Sequence, residues 1–551
     1  MTEAIIQPQK VRVPLSTNQM LRYALAAAIV LQAVMISLVA VNWDEFFFYH
    51  QVWQFAQEGV LTSAIQTLHV RLFGWITWLP GVSVDHIIIA RYVMFAFELV
   101  TLGSIYALAR RFSTQDAALL CALAYVSFGF VFMHGFSFRT DPMAAAFLSG
   151  ALALFAWKRL TTLWIIAIGC LTALAFLTTI KSILWAPAFA GLAWLRWADE
   201  GYDTRAAIRL VAVAAAVTVA GAFFYWLHSL ALEADHVTKT GNAGRSAARK
   251  MFSLGIQPYW NVIPKAITTG FVGALLIAFA PSTWKATAAA KRIALIGLWL
   301  PVTTFLFYHN TAPYFYAFIL PPVFVACAPV AKLALEKYRP ALIVAAVTIV
   351  LPIQFLPVDH RAKANQIALI ETADRMFDQP VRYFDANFML AGFDKKNGFM
   401  TPWGIESYLW AEKRVYRDGM AKETIPLVVE NDSAWTRLLT TDEPAGEFLA
   451  EDAAAIRDTF IHAWGPFWLA GIELPVGQTR NWTVRVPGEY HVRQGTIQID
   501  GQTYREGQMV TLDRGVTSIT SAGSTNAELM WADGVTMPEA PMPPGPIWTY
   551  F

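Results

Sequence analysis

The chain has 551 residues, a net charge of +2 from 42 Lys and Arg against 40 Asp and Glu, and a composition 56% hydrophobic and 15% charged. A soluble domain is ~45–50% apolar and ~25% charged. This balance excludes a disordered chain, a coiled coil, a disulfide scaffold and a soluble nucleic-acid binder, and no bulk field recruits polyanions.

Apolar runs recur from Tyr23 to Leu356: 23–41, 87–109, 117–134, 142–157, 163–180, 183–197, 208–230, 263–280, 293–307, 315–330 and 341–356. A helix needs ~20 residues to cross ~30 Å of hydrocarbon, and shorter runs need a thinned bilayer or flanking aromatics. The pattern predicts an α-helical polytopic membrane protein of about 11 transmembrane helices. The first run has a basic flank (Lys10, Arg12, Arg22) but no small-x-small cleavage site, so it reads as a retained helix rather than a signal peptide. Cys121, Cys170 and Cys327 fall inside apolar runs and read as small core residues.

Lys and Arg gather in alternate loops: Arg110 and Arg111; Lys158 and Arg159; Arg196, Arg205 and Arg209; Lys285, Lys291 and Arg292; Lys332, Lys337 and Arg339. The positive-inside rule places these loops and the N-terminus in the cytoplasm. An odd number of crossings then places the C-terminal part on the other face.

After Leu356 charged and turn residues rise and no spanning run remains. The expected division is a membrane domain at 1–356 and an extracytoplasmic soluble domain at 357–551. Within the latter, 357–478 reads as mixed α/β, with helical stretches at Ser433–Leu439 and Glu447–Ala463. Residues 479–537 read as β-sandwich-like, from WTVRVPGEYHV, GTIQIDGQTY, GQMVTL, GVTSITS and AELMWADG. Residues 538–551 read as an extended, Pro-rich tail.

The unusual polar residues fall in the loops opposite the basic ones. Asn42-Trp43-Asp44-Glu45 follows the first helix, leading into an aromatic amphipathic stretch to Glu58 and then His69-Val70-Arg71. Ser137 through Pro142 holds Arg139 and Asp141, and Thr178 through Ser182 holds Lys181. A later loop holds His236, Lys239, Arg245, Arg249 and Lys250, and Tyr308 through Tyr314 holds His309 and Asn310. Five loops on one face describe a vestibule at one membrane surface. Plainer readings compete. Asp44-Glu45 also fits a solvated helix boundary, and Arg139 with Asp141 fits a local ion pair ahead of Pro142. A cation such as Lys181 between apolar runs is costly unless it is paired or holds an anion, with snorkelling as the alternative. Arg91 and Glu98 share a helical face two turns apart and read as structural, with Glu98 hydrogen-bonded to a neighbouring helix. Walker, dinucleotide, zinc and serine-hydrolase patterns are absent, so an enzyme here takes its activated substrate from the membrane.

These residues resemble the GT-C superfamily of integral-membrane glycosyltransferases, in the branch of protein O-mannosyltransferases and lipid A aminoarabinose transferases. That branch has an acidic pair after its first helix, then Tyr/His positions and a His-Pro-Pro-Leu-like stretch. Here these are Asp44-Glu45, Tyr49-His50 and His69-Val70-Arg71-Leu72-Phe73, with Val70-Arg71 in place of the prolines. An Arg-x-Asp-like element (Arg139-Thr140-Asp141), a Lys after the fifth helix (Lys181 through Pro187) and a Tyr/Pro-rich loop (Tyr308 through Pro322) follow in order. The resemblance covers about residues 20–330.

It implies transfer of a sugar from a polyprenyl-phosphate donor to an acceptor hydroxyl on the periplasmic face of a bacterial inner membrane. The acceptor class stays open among glycolipid, lipopolysaccharide, polysaccharide and protein. Asp44 is then the base that takes the acceptor proton, with Glu45 beside it. Lys181, Arg139, Arg71 and His69 stand as ligands of the donor phosphate, backed by the 245–250 basic stretch. Tyr49, His50, Asp141, His309, Asn310 and Tyr314 stand as substrate-binding residues. A divalent cation is compatible with the carboxylates, but no ligand spacing demands one. Two other classes compete: a secondary transporter or lipid-sugar flippase, which ordinarily shows internal repeats and midplane ionisable residues, and a structural assembly subunit.

Overall fold

The computed structural model describes residues 15–548 except 62, 65, 234–250, 254, 256, 442 and 444. The chain divides into two compact units: Met1–Ser37, Val60–His69 and Arg91–Val358 form the first, and Leu38–Gly59, Val70–Ala90 and Asp359–Phe551 the second. The division at Val358 lies beside the expected 356/357 boundary. Two segments of the first loop, 38–59 and 70–90, group with the C-terminal residues.

The helices in chain order are α1 (Thr17–Leu38), α2 (Trp43–Glu58), α3 (Leu68–Phe73), α4 (Ser83–Ala109), α5 (Gln115–Val126), α6 (Gly129–His134), α7 (Thr140–Trp157), α8 (Thr162–Thr178), α9 (Ala186–Asp199) and α10 (Thr204–Ser229). Every apolar run of the sequence coincides with a helix or a broken pair of helices. Lipid offers no partner for a backbone amide, so apolar runs satisfy their polar groups within the segment. Among the described residues, five helices are individually long and apolar enough to cross a membrane: Thr17–Leu38, Ser83–Ala109, Thr140–Trp157, Thr204–Ser229 and Ala289–Leu306.

Other runs are broken. Trp260–Thr269 and Phe271–Ala286 meet at 100°, and Phe315–Ala326 and Ala328–Lys337 at 65°. The first bend falls at Gly270, whose missing Cβ leaves room for the Phe128 ring. A substituent there would collide with that ring, so glycine permits the close approach.

The first unit is held partly by polar contacts deep in its helices. Gln32 of α1 donates to Glu98 Oε1 of α4 at 3.1 Å and to the carbonyls of Val131 and Phe132 in α6 at 3.3 and 3.1 Å. Glu98 is thus hydrogen-bonded across helices, as its depth in the sequence suggested.

The second unit carries two sheets. One has eight strands in the order β10-β7-β12-β5-β3-β1-β2, with β4 also paired to β5. Its members are β1 (Arg382–Phe384), β2 (Asp394–Lys395), β3 (Leu427–Val429), β4 (Phe460–Trp464), β5 (Phe467–Leu474), β7 (Gly488–Gln494), β10 (Met509–Leu512) and β12 (Ala527–Trp531). The other has the order β6-β11-β8-β9, from β6 (Thr479–Val484), β8 (Thr496–Ile499), β9 (Gln502–Arg505) and β11 (Gly515–Ser521). The larger sheet crosses residue 478 without a break, because β5 pairs with β3 and with β12. All five strand-like stretches of the sequence form strands. Asp500 and Gly501, at φ 47° and 87°, close the β8–β9 hairpin as a two-residue Asp-Gly loop. The stretch Glu447–Ala463 is helical only over Ala450–Arg457; Phe460–Trp464 is drawn into β4 by pairing with β5.

Candidate active site

In the first unit, three separated segments meet. Arg139 is the extended N-cap residue of α7, with Asp141 in the first turn, where the helix dipole favours a carboxylate. Pro142 sits in that turn too, where a missing N–H breaks no helical bond. Lys181 lies in a short 3-10 turn, Ile180–Trp185, directly after α8. Tyr314 precedes the helix Phe315–Ala326.

Lys181 forms an ion pair with Asp141 Oδ1, and Arg139 Nε stands 3.7 Å from Asp141 Oδ2. The three side chains are 10%, 2% and 6% exposed for Lys181, Asp141 and Arg139. Lys181 therefore does not snorkel; it is buried on a carboxylate. The Arg139 guanidinium lies over the Tyr314 ring, and the Lys181 ammonium is 5.6, 5.9 and 5.4 Å from the ring centroids of Tyr314, Phe315 and Phe318. Within this group two cations face one carboxylate and an aromatic wall. Tyr314 donates its hydroxyl to Asn310 Oδ1 at 3.0 Å, which brings Asn310 to the rim of the group. His309 instead turns to Gln257, 3.1 Å from its Oε1. His69 is buried, edge-on to Phe138, the residue before Arg139. His236, Lys239, Arg245, Arg249 and Lys250 lie outside the described residues.

In the second unit, Asp44 and Glu45 open α2. Asn42 caps the helix: its side chain accepts from Asp44 N at 3.1 Å, and Glu45 Oε2 accepts from Asn42 N at 2.9 Å. This reciprocal pair is a capping box. It commits one oxygen of Glu45 to the helix start and leaves that role clear of Asp44. Both carboxylates are buried.

Tyr49 donates to His86 Nδ1 at 2.6 Å, and His86 Nε2 donates to the Leu79 carbonyl at 2.8 Å, so the hydrogen bonds assign the tautomer. His50 packs on Phe388, with ring centroids 4.5 Å apart, and Phe47 stacks on Phe399 at 4.8 Å. Burial lowers the His50 pKa to about 4, partly opposed by Asp385. Asp385 takes hydrogen bonds from the amides of Phe388 and Met389 and from Asn431, and is ion-paired to buried Lys395 at 3.1 Å. These bonds hold Phe388 at φ 66°, an unusual conformation for a bulky residue, with its ring against α2. Arg71 is exposed and lies over Phe55, 5.3 Å from the ring centroid.

Among the described residues no three His, Cys, Asp or Glu side chains gather to hold a metal ion.

The sequence reading missed the partners of α2. Phe388 and Gln366 carry no local motif. The one signal for Gln366 is position: it falls on the buried face of the helix His360–Met376, in register with Ala362, Leu369 and Ala373.

No family model matches the chain, and no curated protein matches it in sequence. Solved structures do match in fold. The chain is similar to ArnT from Cupriavidus metallidurans bound to undecaprenyl phosphate, with TM-score 0.53 and 13% identity over 77% of this chain and 95% of that one. It is also similar to the apo oligosaccharyltransferase of Archaeoglobus fulgidus, with TM-score 0.53 and 11% identity over 95% and 98% of the two chains. The same organism's AglB, in complex with an inhibitory peptide and a dolichol-phosphate, matches at TM-score 0.52 and 12% identity over 92% and 95%. The chain is a multi-pass membrane protein that shares the fold of these structures and ends in a C-terminal sheet domain.

Proposed function

We propose that this protein is a membrane glycosyltransferase that moves a sugar from a polyprenyl-phosphate donor to an acceptor hydroxyl on the periplasmic face of the inner membrane. The N-terminus is then cytoplasmic and the C-terminal domain periplasmic. The observation that carries the reading is the buried group of Arg139, Asp141, Lys181 and Tyr314. Cations are expensive in a membrane protein, and this group buries two of them side by side at Asp141. Two neighbouring cations suit the charge that develops on an anionic leaving group. The lipid phosphates present with the ArnT and AglB structures belong to the same chemical class.

The acceptor oxygen attacks the anomeric carbon as the bond from that carbon to the phosphate oxygen breaks. Asp44 takes the acceptor proton, and the electron pair leaves with the polyprenyl phosphate. A single displacement inverts the anomeric centre. Lys181 and Arg139 stabilise charge developing on the phosphate, with His69 and Arg71 as further phosphate ligands. Asp141 holds the two cations, and Glu45 fixes the start of α2. Tyr49, His50, His309, Asn310 and Tyr314 shape the sugar and acceptor subsites. The acceptor is a glycan, a glycolipid such as lipopolysaccharide, or a protein.

The test is transfer by the purified full-length protein from a panel of synthetic polyprenyl-phosphate sugars, with mass spectrometry of membrane glycolipids from cells with and without it. Release of free polyprenyl phosphate with a glycosylated product supports the reading. Movement of intact donor across a vesicle bilayer with no transfer replaces it with a flippase.

A further inference from the structure

The residues just before α2 are held by a side chain from far along the chain. Gln366 Oε1 accepts from Val41 N at 2.9 Å, and Gln366 Nε2 donates to Val41 O at 2.8 Å. The side-chain amide thus pairs with Val41 as a neighbouring strand would. The second Nε2 proton goes to the Ile547 carbonyl at 3.1 Å. Gln366 and Val41 are 0% and 1% exposed. Every donor of the amide is used, and water does not compete. Next in sequence is Asn42, the N-cap, and two residues later Asp44.

We propose that Gln366 is a positioning residue for Asp44: by closing on both backbone groups of Val41, it fixes where α2 starts and so where the Asp44 carboxylate stands. The proposal rests on the reading of Asp44 as the base. Only Asn42 and Trp43 separate the grip from Asp44, and the capping box makes the intervening turn stiff. A shift at Val41 is therefore carried to Asp44 rather than absorbed. Glutamine suits the position for a chemical reason. Glutamate would set a carboxylate against two carbonyls, asparagine is one methylene short, and methionine fills the space without hydrogen bonds.

The experiment compares full-length wild type with Gln366→Met, and with Gln366→Asn should the first fail to fold. Hydrogen exchange of the amides of residues 41–48 is read with single-turnover transfer. Exchange over 41–48 is expected to quicken, and turnover to fall by about 100-fold, the scale of an ångström misplacement, with donor KM within about twofold. In the Asp44→Asn background Gln366→Met is expected to add no further loss, because a residue that acts through Asp44 has nothing left to position. Asn365→Ala loses only its 3.2 Å bond to the Pro546 carbonyl and is expected to turn over normally. Unchanged exchange, normal turnover in Gln366→Met, or losses that multiply with Asp44→Asn each overturn the proposal. Absence of transfer by wild type from every polyprenyl-phosphate donor overturns the functional reading instead, and the exchange data alone then decide whether Gln366 fixes the entry to α2.

Discussion

The guanidinium of Arg139 lies over the ring of Tyr314, 3.3 Å from its centroid, while its Nε faces Asp141. A planar cation can stack on a ring and address a carboxylate at once; an ammonium cannot match both contacts. Arg139→Lys is expected to keep the charge yet destabilise the group by about 0.5–2 kcal/mol. Thermal unfolding in detergent measures it. An Arg139→Lys protein as stable as wild type would show that charge alone matters there.

Lys181→Ala is expected to weaken binding of polyprenyl phosphate by about 10–100-fold, the range of a lost charge-assisted bond. The same change unpairs Asp141, so stability falls as well. Asp141→Asn separates the effects: it disturbs the fold of the group but keeps both cations. Affinity for sugar-free polyprenyl phosphate is the measurement. Equal affinities for wild type and Lys181→Ala would move the phosphate to Arg71 or His69.

Asp44→Asn is expected to lower single-turnover transfer by ~10²–10⁴-fold, the usual contribution of a positioned base. Glu45→Gln is expected to cost less, because a Gln oxygen can still accept from Asn42 N. Glu45→Ala loses that cap and about 1 kcal/mol. A larger turnover loss in Glu45→Gln than in Asp44→Asn would exchange their roles.

His50 gives the second unit a pH dependence of known sign. Burial holds its folded pKa near 4 against an ordinary 6.5. The unfolded chain therefore binds the extra proton first as pH falls. Stability from this group is complete above about pH 6.5 and declines from there to about pH 4, by up to about 3 kcal/mol. His50→Phe keeps a ring for Phe388 and removes the titration. Unfolding curves from pH 4 to 7 should be flatter for His50→Phe than for wild type. Parallel curves would assign the acid loss to other groups.

Gln32→Leu is expected to destabilise the first unit by about 1–3 kcal/mol, since Glu98 and two carbonyls lose this donor in the interior. Glu98→Gln retains a polar partner and should leave donor binding unchanged. A selective loss of transfer in Glu98→Gln, with stability intact, would give Glu98 a functional role.

The sequence by itself determined the helices. In lipid each backbone amide finds its partner inside its own segment, so a run of apolar residues is a complete local instruction, and all the runs from 23–41 to 341–356 became helical. It also marked Lys181, because a cation between apolar runs is anomalous without reference to any neighbour. The Asp500-Gly501 hairpin was legible for the same local reason. Tertiary structure alone decided what those residues meet. Lys181 finds Asp141 rather than the membrane surface because α7 and the turn after α8 fold together. The entry to α2 is set by Gln366, and its aromatic face by Phe388, side chains more than three hundred residues away in the chain. A hydrogen bond or ring contact at that separation leaves no periodicity and no motif. It exists only once the backbone has brought both ends to the same place.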